Sequence, residues 1–357
     1  MLGDELNALR WLGKRQRGFH EVWYLTCVDP ATGDAYWFRY TIETPLVGEV
    51  EVGLWAFATP KANPTAGLCL HDRRPLSKFA DKSTSEKGFR IEVDKYFLES
   101  GRATGKVGEG ARMLEWDLKW QPNGIGFEHV SGLLTSLGVA KSAVNSGNLA
   151  IEVEGTIKIA GKAVKVTKWP AHQSHTWGSR HAESWAWAHC NAFAEDKTAV
   201  FEGVSARVQK LGLLLPAATP IFFRRNGVEH DWSSVGTVWS NRSTYAPGSW
   251  KFEAENQEVL VRGTASAPAE RTVSVEYHDP AGPFYVDHCT SGDLSLEVWK
   301  RVGFRWELET KLTSQGTTAF EIAGRTRSSN VGRTLDLVDT KVVGDPAAAA
   351  KPVGAAG

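Results

Sequence analysis

The chain has 357 residues, and its 41 Lys and Arg are matched by 41 Asp and Glu. At 42% apolar content it can bury a sizeable core. No basic stripe supports nucleic-acid binding through phosphate neutralisation, or attraction to an anionic membrane. No apolar run approaches the roughly 18 residues of a membrane span. Met1–Gly18 is charged throughout and lacks the apolar core of a signal peptide. Cys27, Cys69, Cys190 and Cys289 form no CxxC pair. The expectation is a cytoplasmic protein with free thiols.

Leu2, Leu6, Leu9 and Leu12 recur near helical spacing, so 2–12 reads as a short amphipathic helix. Beyond it nearly everything reads as strand. Trp23, Leu25 and Cys27 alternate with Val22, Tyr24 and Thr26, and a turn cluster at 29–34 leads into Tyr36–Ile42. Further strands are expected at 50–58, 90–98, 112–120, 148–159 and 163–167, with a helix over 130–142. The second half continues with strands at 184–193, 198–208, 219–225, 250–255, 258–265, 271–277, 284–289, 293–300, 304–312 and 318–325. Many short strands separated by Gly, Pro and Asp turns indicate an all-β protein, built as barrels or sandwiches. The expected division is a helical segment at 1–17, β domains at 18–160 and 161–343, and a disordered tail from 344 rich in Ala, Pro and Gly. Two β-rich halves of similar size point to duplication at the level of domains.

Four of the ten histidines fall within 172–189, among several tryptophans. In Glu183–Phe193 the residues Glu183, Trp185, Trp187, His189, Asn191 and Phe193 share one strand face, and Ser184, Ala186, Ala188, Cys190 and Ala192 the other. The small face suits tight packing, and the large face suits the interior of a barrel. A four-residue turn at 194–197 sets Phe193 opposite Thr198, His189 opposite Glu202 and Trp187 opposite Val204. Opposed Cβ atoms lie about 4.5–5.5 Å apart. Glu202 thus becomes a lone acid beside a histidine, either as a neutral general acid or as half of a carboxylate–imidazolium pair. A buried hydrogen bond that only joins two strands is the plainer reading. His172 and His175, spaced His-x-x-His on a strand, point to opposite faces and make a poor chelate, so no metal is expected. His175 and Trp177 share a face, and Trp185 and Trp187 offer indole faces to a developing carbocation or simply fill space. Tyr285 and Asp287 share another face as a phenol–carboxylate pair. Asp231 is a weaker candidate.

His175-Thr176-Trp177-Gly178, followed by Trp185-Ala186-Trp187, resembles the superfamily of carotenoid 1,2-hydratase, AttH-like proteins and tocopherol cyclase. The strand Ala188-His189-Cys190-Asn191-Ala192-Phe193 is especially similar to the tocopherol-cyclase form. The resemblance implies two lipocalin-like antiparallel β-barrel domains with a ligand cavity near their junction. It also implies cofactor-free acid catalysis on an apolar unsaturated molecule, isoprenoid-like or polyketide-like. In the hydratase a His-x-Trp pair and a later Tyr-x-Asp pair carry activity. His175 and Trp177 match the first; at the expected distance the second is replaced by Phe201-Glu202-Gly203-Val204. Glu202 as the substitute acid is an inference from strand register, not a family assignment.

The sequence expectation is therefore His175, Glu202 and His189 as catalytic groups, with Trp177, Trp185, Trp187, Asn191, Tyr285 and Asp287 against the substrate. A non-catalytic carrier of a lipid or pigment, and an accessory protein with plugged barrels, are the competing functions. The partner expected is an apolar small molecule, collected through transient membrane contact if it resides in lipid.

Overall fold

The computed structural model describes residues 2–130, 141–210, 212–277, 279, 282–328, 333–334 and 338–340. The helix expected over 130–142 falls almost wholly outside them, and the tail from 344 wholly so.

The protein is all-β, in two large, mainly antiparallel sheets. The first opens with a meander of β1 (Phe19–Val28), β2 (Ala35–Thr44), β3 (Glu51–Thr59) and β4 (Leu68–Pro75). Shorter strands follow: β5 (Phe79–Asp81), β6 (Arg90–Val93), β7 (Tyr96–Glu99), β8 (Arg102–Glu109), β9 (Arg112–Lys119) and β10 (Phe127–Glu128). A long hairpin, β11 (Ser142–Ile159) and β12 (Lys162–Gly178), completes it. The order runs β4-β3-β2-β1-β12-β11-β9-β8-β7-β6-β5. This sheet curls nearly closed, bringing β3 and β4 against β8 and β9.

The second sheet contains β13 (Ser184–Cys190) and β14 (Val200–Arg207). A small separate ladder, β15 (Gln209–Lys210) with β16 (Leu213–Leu214), interrupts the sequence. Then come β17 (Ile221–Arg225), β18 (Val228–Asp231), β19 (Arg242–Ala246), β20 (Ser249–Glu255), β21 (Val259–Ser266) and β22 (Val273–Tyr277). Another long hairpin follows, β23 (Phe284–Val302) and β24 (Arg305–Gly324). The order is β18-β17-β14-β13-β24-β23-β21-β20-β19. Each sheet is thus a four-strand meander whose first strand pairs with the last strand of a long hairpin. β25 (Arg333–Thr334) pairs with β22, and β26 (Val338–Thr340) returns to β4. The change of sheet falls between Gly178 and Ser184, whereas residue 160 lies in the β11–β12 turn.

Local differences from the sequence expectation have physical causes. The run 90–98 is two strands because Asp94 adopts a φ of 60° and turns the chain. The four strands expected between 284 and 325 are two long ones. A bulge at Gly292 keeps β23 continuous, where a Cβ would come within 2.8 Å of the Ser266 carbonyl. The N-terminal helix, α1 (Leu2–Asn7), ends short of the expected residue 12. Continuing it would pair Arg10 N–H with the Leu6 carbonyl and Trp11 N–H with that of Asn7. His175 Nδ1 and Trp23 Nε1 donate to those two carbonyls, and the Glu21 carboxylate accepts from the N–H groups of Arg10 and Trp11.

Of five buried apolar clusters among the described residues, three position the site. Trp23, Phe38, Tyr40 and Trp116 belong to the core of the first sheet, and Phe201, Trp250, Phe252 and Phe320 to that of the second. The third lies between the sheets, where Tyr24, Trp37, Trp55 and Phe57 meet Trp187, Val273, Val275 and Ala319. The four cysteines are free and buried.

Candidate active site at the junction of the two sheets

Strand alternation decides which side chains reach the junction. On β13, Ala186, Ala188 and Cys190 enter the core of the second sheet, which bulky Trp250 and Phe252 already fill. The large face is therefore not inside a barrel, as first expected, but turned toward the first sheet, with Trp187 in the junction cluster. The register is the expected one, His189 opposite Glu202 and Trp187 opposite Val204. On β12, His172 and Ser174 lie on the junction side, while His175 lies on the face toward α1.

Glu202 is fully buried and is the centre of a hydrogen-bonded group. Its Oε1 meets His129 Nε2 at 2.6 Å and accepts from Trp187 Nε1 at 2.7 Å, and its Oε2 meets His189 Nδ1 at 2.7 Å. Burial opposes the charge on Glu202, but His129, His189 and His172 outweigh it and hold its carboxyl well below the usual carboxylate range. His129 Nδ1 faces the Val144 carbonyl at 3.1 Å, and a carbonyl can only accept. Nδ1 therefore carries a proton, and a second proton must lie between Nε2 and Glu202. That proton is shared across the 2.6 Å contact between two fully buried side chains. His172, stacked on His189 at 3.8 Å, is kept neutral by burial and by the facing His189. His189 Nε2 and His172 Nδ1 are buried without partners.

A cavity of about 200 Å³ lies in front of this group, just below the usual range of roughly 300–1,000 Å³ for ligand sites. His129 and Trp187 form part of its wall, with Val22, Tyr24, Val144, Trp185 and Val204. A second polar group reaches it through His181 and His20. His181 Nδ1 lies 2.9 Å from Asp279 Oδ2, which also accepts the His181 backbone N–H. Arg325 Nη1 donates to the other Asp279 oxygen at 2.9 Å. His20 stacks on His181 at 4.2 Å. Arg39, Tyr277 and Glu321 complete this part of the lining.

The structure brings Glu202, His189, Trp185 and Trp187 together but places the other expected residues elsewhere. His175 is buried between the Leu6 carbonyl and Glu21, stacked on Trp23, and does not line the cavity. Trp177 packs on His175, with the Arg10 guanidinium over its ring. Asn191 donates to the carbonyls of Ala171 and Leu149, tying β13 to the first sheet. Tyr285 lies under Arg327, and Asp287 is a buried carboxyl whose pKa burial raises; neither lines the cavity. Asp231 is an exposed strand end. Sequence reasoning missed His129, His20, Arg39, Tyr277 and Asp279. One signal was present, a Tyr-x-Asp spacing at 277–279, about a hundred residues beyond the His-x-Trp pair.

His172, His189 and Glu202 bring one ligand atom each within 4.8 Å. The two rings, however, lie only 13° from parallel. An ion in the plane of one ring lies outside the plane of the other, so the set favours proton sharing over chelation.

The sequence model of the tocopherol cyclase-like family matches residues 143–324. A structure assigned as AttH from Nitrosomonas europaea is 13% identical, with 89% of this chain and 97% of that chain covered at a TM-score of 0.52. Kievitone hydratase from Nectria haematococca is 10% identical, with 90% and 95% covered at a TM-score of 0.48. No curated protein matches. The family match covers just over half of the 357 residues and includes β12, β13, β14 and the long β23–β24 hairpin, so the protein belongs to the tocopherol cyclase-like family.

Proposed function

We propose that the protein catalyses proton-initiated cyclisation or hydration of an apolar, isoprenoid-like alkene in the junction cavity, without a cofactor. Membership of the tocopherol cyclase-like family supports an activity of this type. The observation that carries the reading is the buried Glu202–His129 contact at 2.6 Å, with the His129 ring in the wall of the cavity. The proton shared by His129 Nε2 and Glu202 Oε1 passes to the less substituted alkene carbon as the imidazole turns away from the carboxylate, leaving a tertiary carbocation in the cavity balanced by one net negative charge on the pair. The electron-rich faces of Trp185, Trp187 and Tyr24 line the same space and stabilise that cation. A hydroxyl of the substrate closes a ring, or water forms an alcohol. His181 takes the proton that this oxygen loses. Asp279 holds the Nδ1–H of His181, which turns Nε2 to the cavity as the acceptor. The proton returns to His129 through solvent.

The test is turnover of geranyl hydroquinone in D2O. The expected product is a chroman ring or tertiary alcohol carrying one carbon-bound deuterium, with formation lost in His129→Gln. Recovery of unchanged geranyl hydroquinone bound to the intact protein contradicts catalysis and leaves the carrier function.

A further inference from the structure

Glu21, Glu202 and Asp279 are buried charges, and each meets an imidazole or a guanidinium. Arg39 is different. It lies on β2, is 5% exposed and lines the cavity. Its Cζ sits 4.6 Å from the ring centre of Trp37 and 4.9 Å from those of Trp55 and Tyr277. Its Nη1 donates to the Tyr277 hydroxyl, and its Nε has no partner. Among the described residues no carboxylate comes within 4.0 Å of it.

Aromatic faces stabilise a guanidinium from above and below. They do nothing for its N–H groups, which point outward in its own plane and require oxygen acceptors. Tyr277 supplies one neutral oxygen, since burial holds its phenol above the usual range. A cation buried with unpaired donors is costly unless something completes it. His20 adds a second open position in the same lining, near enough for the charge of Arg39 to lower its pKa further. Its Nε2 is buried without a partner and its ring lines the same cavity. Of the two carboxylates in the lining, Glu321 is already held by His288 Nδ1 at 3.1 Å and Trp185 Nε1 at 3.3 Å, and Glu183 contacts Arg180 and Arg325. Of the other cations in the lining, Lys141 is exposed, and Arg180 contacts Glu183 and Gln209.

We propose that Arg39 and His20 form the receptor for a carboxylate carried by an otherwise apolar ligand. One guanidinium beside a neutral imidazole balances one negative charge. A phosphate dianion would leave a second charge unbalanced in an aromatic cage, with Glu321 on the same wall. The carboxylate accepts from the guanidinium and from the imidazole, and its apolar chain runs toward Trp187 and His129. The proposal takes the cavity of the catalytic reading as its site. It is tested by binding alone, so loss of turnover and loss of anion preference are separate results.

The experiment compares geranate with geraniol at pH 8 by titration calorimetry on the full chain. The two probes share a ten-carbon unsaturated skeleton and differ at the oxygen end. Geranate should bind at least about tenfold more tightly, the equivalent of one charge-assisted hydrogen bond. Arg39→Gln should bring the ratio to about one while geraniol still binds, which shows that the cavity survives the change. Glu321→Gln should move geranate affinity the opposite way, upward. Equal affinity of the unaltered protein for the two probes overturns the proposal. So does an anion preference that persists in Arg39→Gln.

Discussion

Among the described residues two buried glutamates face histidines, one for each sheet, and their surroundings differ. Glu21 accepts from the backbone N–H groups of Arg10 and Trp11 and meets His175, whose other nitrogen is on the Leu6 carbonyl. Every polar atom of that histidine is engaged, and Trp23 and Trp177 cover the ring. Glu202 meets two histidines and an indole, ring nitrogens beside it are left open, and His129 borders a cavity. A buried carboxylate–imidazole pair is a clamp when all its groups are satisfied locally. In the proposed function it becomes chemical machinery because one side meets space that a substrate can fill.

Four experiments bear on that contrast. The largest effect should come from His129→Gln, which lowers turnover about 10²–10⁴-fold, the scale of a lost general acid. His175→Gln should leave the turnover of the folded fraction intact. Equal loss in both would erase the distinction between clamp and machinery.

Removing either carboxylate should cost about 3–5 kcal/mol in urea unfolding, because each leaves buried groups unpaired. Only Glu21→Ala should also speed amide exchange at Arg10 and Trp11, whose N–H groups it holds.

The pH dependence sharpens the comparison further. Burial lowers the native pKa of His71 to about 3, and it lowers those of His20, His172 and His288 as well. The unfolded chain takes up protons at these sites below about pH 6.5, while the native protein does not. Their contribution to stability is full above about pH 6.5 and is lost as pH falls from there toward the native values. Each such histidine steepens the loss by up to about 1.4 kcal/mol per pH unit. His71→Phe, which keeps the stack on Trp55, should flatten urea stability between pH 7 and pH 5. Glu202 acts later, because its depressed pKa keeps its contribution until the acid passes the usual carboxylate range. The smallest effect belongs to Trp177→Phe, a half-buried ring outside the cavity, with less than about 1 kcal/mol in stability and no change in turnover.

Much of this was legible in the chain. Alternation and a four-residue turn placed His189 opposite Glu202, and the clustered tryptophans marked the region that lines the cavity. Alternation separates two faces of a strand, but it does not say which face a second sheet will cover. That is why the large face of β13 was assigned to a barrel interior, and why His175 was grouped with Glu202 when it belongs to Glu21. His129 reaches Glu202 from 73 positions away and from the other sheet, and Asp279 acts from outside a strand. Neither position has a periodicity to read. The helix at the N-terminus was overextended because side-chain partners that lie far along the chain claim its carbonyls.

The most direct test of the difference between the two glutamates is the ring protonation of His129, read by nitrogen-15 NMR at neutral pH with ring-labelled histidine. The expected result is a proton on both nitrogens, with Nε2–H coupled to an ionised Glu202. A ring protonated at Nδ1 alone, beside a neutral Glu202 carboxylic acid, would contradict the assignment of the mobile proton to His129.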